Sequence, residues 1–277
     1  MAALRPTEAR PVILVATRVH QGNASRLVDL GALETFVQRA LDWGEDIAVA
    51  IAVGSEGPTG EALLHGVSSV VESVTARPLW SGRLVSVVPV NPWGKFVNGL
   101  NVLVQHAITG GFEHVLFSSV ETEVGRDGVD KLRRTFTPSD LVVGAAFRDH
   151  AFEPREAPHA LTGSTTPWNT LALWHAPTLA LLGFVGVAEG LDVASGRSDG
   201  GVEEVTAIAL LQHLQMTRTG VKLVRLPGLA WDTAFEDDER RAWHARKMAS
   251  KVSRPVAQMA KLPGLPAGSV LHIDLLD

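Results

Sequence analysis

The sequence predicts a mixed α/β fold with a mostly parallel central sheet flanked by helices. Short, β-rich apolar runs alternate with longer amphipathic stretches, which is how a parallel sheet covered by helices reads in sequence. Turn residues mark the ends of those runs, and 277 residues suit one large domain with a sizeable core. No repeat of 20–50 residues interrupts the alternation.

The elements follow in order. Val12–Thr17 is the first strand run, and Ala32–Trp43 carries the spacing of a helix. Ile47–Val53 is an unbroken apolar strand that Gly54 ends, and Gly60–Val74 is the next helix. Arg83–Val90 follows Gly82 as a strand, then Phe96–Thr109 as a helix closed by Gly110-Gly111. His114–Ser118 is a short strand, and Gly128–Phe136 a helix broken by Thr137-Pro138-Ser139-Asp140. Leu141–Phe147, the helix Val202–Gln215 and the strand Lys222–Leu226 complete the set. Asp149–Pro167 is proline-bearing and polar, a loop of the length that usually carries function. The stretch from Glu236 to Leu262 reads as a C-terminal helix rich in Arg and Lys. The organisation expected is one domain over 1–277, with its core in 11–230 and the basic helix over 236–262.

Composition removes several classes of chemistry. The chain has no cysteine, which excludes thiolate nucleophiles, zinc-thiolate sites and iron-sulfur clusters. A net charge of -5 gives no whole-molecule attraction to nucleic acid, so nucleic acid is not an expected partner. The apolar run before Arg18 is too short for a signal core or a membrane span, and a cytoplasmic address is the expectation. The tripeptide Asn23-Ala24-Ser25 fits a glycosylation sequon of the sort that arises by chance.

In open α/β sheets ligands bind beyond the carboxyl ends of the strands. Here that edge gathers Thr17-Arg18, Gly54-Ser55, Asn91–Lys95, Ser118–Glu123 and Arg148. Three segments near it belong together. Val88–Ala107 (VPVNPWGKFVNGLNVLVQHA) is a strand, a glycine-containing turn and a helix bearing Asn98 and Asn101. Glu113–Leu132 (EHVLFSSVETEVGRDGVDKL) is an apolar strand ending in Ser119-Val120-Glu121, then a helix. Asn169–Leu214 holds an alternating stretch, a Leu-Leu-Gly-Phe turn, a variable loop and Glu203-Glu204 opening a helix.

In that order and spacing, the chain resembles the inverting family 2 glycosyltransferases, which have the glycosyltransferase-A fold, over roughly residues 11–230. The resemblance implies transfer of a sugar from a UDP- or GDP-type nucleotide sugar to a hydroxyl of a carbohydrate, lipid-linked or small-molecule acceptor. In that family an Asp-x-Asp motif holds Mn²⁺ or Mg²⁺ against the donor diphosphate, a task for hard oxygen ligands. Ser119 stands here in place of the first Asp. Glu121 would then be the main metal ligand, helped by Glu123, water or the more distant His244, and activity without metal is the alternative.

The likeness places other residues by position. Glu204, with Glu203 beside it, matches the family's Glu-Asp pair and would take the acceptor's proton. Alternatively, both merely favour a helix start. Arg18 meets the nucleotide base or phosphates, or is a surface arginine. Lys95, just before a helix, joins the helix N-terminus on a phosphate, or is an exposed turn lysine. Asn98 and Asn101 bond donor or neighbouring loops. Trp168, Trp174 and His175 lie where the acceptor is expected, although tryptophan is more often core. The basic run from Arg240 to Arg254 closes over the diphosphate, docks peripherally on an anionic membrane or forms a solvated face.

Two other readings compete. A non-catalytic nucleotide-sugar or protein-binding module of the same fold draws support from Ser119. A serine hydrolase would use Gly196-Arg197-Ser198-Asp199-Gly200, with Asp232 and His244 following in order, but lacks the buried strand a nucleophile elbow needs.

Overall fold

The computed structural model describes residues 12–22, 27–190, 200–214, 218–231, 242, 245–246 and 248–276. Ser198, Asp232, His244 and, of the basic run, Arg240, Arg241 and Lys247 lie outside these residues, as does the Asn23 sequon. The first half alternates as expected: β1 (Ile13–Val19), α1 (Leu30–Asp42), β2 (Ile47–Gly54), α2 (Gly57–Thr75), β3 (Val85–Val90), α3 (Val97–Gly110) and β4 (His114–Ser118). After it come β5 (Thr122–Glu123), α4 (Arg126–Thr135), β6 (Asp140–Ala145), β7 (His159–Ala160) and β8 (Leu171–His175). The remainder is α5 (Ala176–Leu179), α6 (Glu203–Leu214), β9 (Gly220–Arg225), β10 (Ala230–Trp231), α7 (Ser253–Met259) and β11 (Ser269–Asp274).

Nine of the described strands form one sheet in the order β3-β2-β1-β4-β8-β6-β9-β11-β7, and β10 pairs with β5 in a separate ribbon. β3, β2, β1 and β4 are mutually parallel, as are β6, β9 and β11. β8 runs antiparallel between β4 and β6, joining the two parallel blocks. β2 is buried along its whole length, as a strand covered by helices on both faces must be. α1 begins two residues before the periodicity suggests, because the Asp29 carboxylate accepts the Ala32 N–H at 2.9 Å. Such a cap stabilises a helix start by about 1 kcal/mol.

Two features depart from the sequence expectation. β11 pairs with β9 inside the main sheet, so the sheet extends well past residue 230. α7 lies within the basic C-terminal segment, and it buries Arg254, Pro255 and Gln258 instead of presenting a wholly solvated basic face. Among the described residues no helix is long and apolar enough to cross a membrane.

Candidate functional site

The carboxyl ends of β1 and β4 lie side by side, since Ala16 pairs with Phe117. β8 enters the sheet from the same edge, because its first residue, Leu171, pairs with Ser118. Arg18, Ser119 and the approach to β8 therefore share one edge.

The turn after β4 is held from two sides. Ser119 N–H donates to the Thr170 carbonyl at 3.0 Å, and the Thr122 hydroxyl donates to the same carbonyl at 2.9 Å. Arg39 from α1 donates to the carbonyls of Thr122 and Val120 at 2.7 and 3.3 Å. The Ser119 hydroxyl is itself engaged with that of Thr122 at 3.0 Å. Glu121 is exposed at the tip, and no described residue bonds its carboxylate. Glu123 is exposed in the β5 ribbon, where its charge acts on Arg39. No three His, Asp or Glu among the described residues gather as a metal-ligand cluster. A cation of the Mg²⁺ type commonly takes one or two protein carboxylates and fills its shell with substrate phosphates and water, and Glu121 is the exposed carboxylate this turn would offer it.

Next to this turn lies a buried acid pair. Glu203 and Glu204 open α6 and are 5% and 4% exposed. Glu204 Oε1 accepts the backbone N–H of Asn169 at 2.5 Å, and the Asn169 side-chain amide donates to Glu203 Oε1 at 3.2 Å. Asn169 is fixed in turn by Trp174, whose indole N–H donates to its Oδ1 at 3.0 Å. Arg18 reaches the pair from the end of β1, with Nη1 3.6 Å from Glu203 Oε1. Burial, and then the charge of Glu203, push the Glu204 carboxyl up to about 8 from an ordinary value of 4.5. The Asn169 N–H bond and the Lys251 ammonium oppose that rise without cancelling it. A carboxyl so placed exchanges its proton near neutral pH.

Other expected residues fall elsewhere. Trp174 is fully buried and His175 pairs with His114 at the amino end of β4, the opposite edge from Ser119. His175 serves there as the N-cap of α5, its Nδ1 accepting the Thr178 N–H at 3.2 Å. Neither can touch an acceptor at the Ser119 edge. Trp168 is near the right edge but 2% exposed, stacked on His150 with ring centroids 3.6 Å apart. Lys251 Nζ lies over its indole face, so packing inside the protein replaces the sugar contact expected of it.

Lys95 and the start of α3 also differ from expectation. The Glu189 carboxylate accepts the backbone N–H groups of Lys95, Phe96 and Val97 at 3.3, 2.9 and 2.7 Å. Lys95 Nζ donates to the Glu189 carbonyl at 2.7 Å. An internal anion thus fills the helix N-terminus at which a phosphate was expected. Asn98 donates to the Pro92 carbonyl at 2.9 Å. Asn101 exchanges two hydrogen bonds with the backbone of Phe184, at 2.9 and 2.7 Å. Both asparagines tie loops together.

With this geometry in hand, solved structures supply the comparison. A mannosyltransferase from Pyrobaculum calidifontis, solved with GDP-Man and Mn²⁺, superposes with a TM-score of 0.61 at 14% identity. The match covers 93% of this chain and 66% of that one, so the chain spans just under two thirds of its length. The chain shares the fold of that structure, of the glycosyltransferase-A type. HddC from Yersinia pseudotuberculosis is a weaker match, with a TM-score of 0.39, 8% identity and coverage of 60% of this chain and 78% of that one. A candidate nucleotide-diphospho-sugar transferase from Desulfovibrio desulfuricans G20 gives 0.37 and 11%, over 95% and 80% of the two chains. No family model matches the chain, and no curated protein matches it in sequence.

Proposed function

We propose that the protein is a glycosyltransferase that moves a sugar from a nucleotide-diphosphate donor to an acceptor hydroxyl, with inversion. The observation that carries this reading is the buried Glu203-Glu204 pair at the carboxyl edge of a glycosyltransferase-A sheet, beside Arg18 and the Ser119-Val120-Glu121 turn. Glu204 is the base. It accepts the proton of the acceptor hydroxyl as that oxygen bonds to the anomeric carbon and the bond to the diphosphate breaks. With its carboxyl near 8, roughly a tenth of it is ionised at pH 7 and most of it above pH 8. Arg18 meets the donor's negative charge, since its side chain is one-third exposed while its Nη1 faces Glu203. Glu121 would hold a cation of the Mn²⁺ or Mg²⁺ type, which would neutralise charge on the donor diphosphate. The P. calidifontis structure, solved with GDP-Man and Mn²⁺, supports a GDP-type donor, and a UDP-type donor is the alternative the family resemblance offers. The acceptor is a carbohydrate, a lipid-linked glycan or a small alcohol.

A second reading has a specific observation behind it. Glu189 fills the start of α3 and Ser119 replaces a carboxylate, which together weaken two supports for a donor diphosphate. These favour a module that binds a nucleotide sugar or a protein without turnover. Incubation with GDP- and UDP-sugars and Mn²⁺ separates the two. Nucleotide release that depends on an acceptor supports the transferase, whereas binding without release supports the module.

A further inference from the structure

The turn that delivers the acid pair into the core is unusual. Gly200, Gly201 and Val202 lead directly into α6, and Val202 is the one non-glycine residue with positive φ among the described residues, at 60°. A β-branched residue rarely adopts that backbone, and it persists only where the surroundings over-determine it. The surroundings here are two side chains of α7. Arg254 Nη1 donates to the Gly200 carbonyl at 2.6 Å, and Gln258 Nε2 donates to the Gly201 carbonyl at 2.9 Å. The same Gln258 amide lies 3.4 Å from the Ala188 carbonyl, on the far side of the loop. Gly201 has φ 103°, and a Cβ there would sit 2.2 Å from Arg254 Nη1, so the guanidinium packs on bare backbone. One turn earlier, the Lys251 carbonyl packs as closely on Gly163, just before Trp168 and Asn169.

We propose that Arg254 is a positioning residue for the acid pair: it clamps the Gly200–Val202 turn and sets a cation beside Glu203 and Glu204. The proposal rests on the transferase reading for its meaning but not for its test. Arg254 is 8% exposed, and its guanidinium interacts with both carboxylates while burial lowers its own proton affinity. The charged groups facing the acid pair among the described residues are Arg18 from β1, against Glu203, and Lys251 and Arg254 from the α7 segment, with Glu203 itself acting on Glu204. Arg254 also holds the backbone that carries the pair. Removing it withdraws a stabilising charge from Glu204 and loosens the strained turn. Replacing it with lysine keeps the charge.

The test follows unfolding midpoints from pH 5 to 10, a readout that needs no turnover. In wild type the fall in midpoint with rising pH that Glu204 causes levels off near 8; the upper end of that limb is the readout, and Glu204→Gln identifies the limb by abolishing it. Arg254→Met is expected to move the limb up by about one pH unit, and Arg254→Lys to leave it within a few tenths of a unit of wild type. An Arg254→Met limb that coincides with wild type in a folded protein overturns the proposal. So does an Arg254→Lys limb displaced as far as that of Arg254→Met. If Arg254→Met does not fold, Arg254→Gln takes its place under the same criteria. Failure of nucleotide release with every donor sinks the transferase reading while leaving these shifts unaffected.

Discussion

Replacing Glu204 with glutamine should change how stability depends on pH, and in a direction fixed by the site. The native protein holds a proton on Glu204 up to about pH 8, whereas the unfolded chain releases it near 4.5. Between those values the native state binds more protons than the unfolded one, so stability falls as pH rises through the window. Below about 4.5 the contribution disappears, and above 8 the penalty is complete. At ~1.4 kcal/mol per pH unit, the full window caps the penalty at about 5 kcal/mol. Relaxation of the pair and the cations around it leave an expected net effect of about 2 kcal/mol. Glutamine keeps an oxygen to accept the Asn169 N–H and carries no charge, so the variant should lack the slope. For a chain of this size ~1 kcal/mol is worth roughly 2 °C. Wild type should therefore lose about 4 °C relative to Glu204→Gln between pH 5 and pH 9. Thermal melts in matched buffers measure this, and parallel curves for the two proteins would refute the buried acid pair.

Three further outcomes are expected. Ser119→Asp restores a second carboxylate at the mouth of the site and should tighten Mn²⁺ binding in the presence of GDP by about tenfold, ~1.4 kcal/mol, in titration calorimetry; unchanged affinity would remove this turn from the metal site. Glu189→Ala strips three backbone amides of their acceptor and should cost about 2–4 kcal/mol in urea denaturation, while Glu189→Gln, which keeps one oxygen, should cost less. His150 is held neutral by burial and by Lys251, down to about 3 from 6.5, so stability should fall as pH drops from 6.5 towards 3; His150→Asn, whose amide oxygen can replace Nδ1 as acceptor of the Phe147 N–H, should flatten that acid limb in melts.

The alternation of apolar runs was enough to place β1, β2, β4 and the helices between them to within a few residues, because those strands are buried on both faces and read as unbroken hydrophobic runs. β11 escaped because Ser269–Asp274 alternates weakly and follows a proline-marked coil, and its partner β9 lies nearly fifty residues away in sequence. Glu203 and Glu204 stand out in the sequence through their likeness to the family's Glu-Asp pair, while their place at a helix start alone has an ordinary explanation. Their burial was not legible, because it depends on Asn169 and Arg18 arriving from distant elements. Glu189 left only a faint signal, a lone carboxylate in an apolar stretch, and its partners lie more than ninety residues away in the chain. Trp174 and His175 went astray because sequence order says nothing about strand direction. β8 runs antiparallel and carries its last residues to the far edge of the sheet.

The most direct test of the account is nucleotide release from a panel of GDP- and UDP-sugars with Mn²⁺ and candidate acceptors, measured for wild type and Glu204→Gln side by side. The account predicts release by wild type that climbs with pH to a plateau above about 8, and release at least ~100-fold slower by the folded variant. Equal rates for the two proteins, or no release by wild type from any donor, would contradict it.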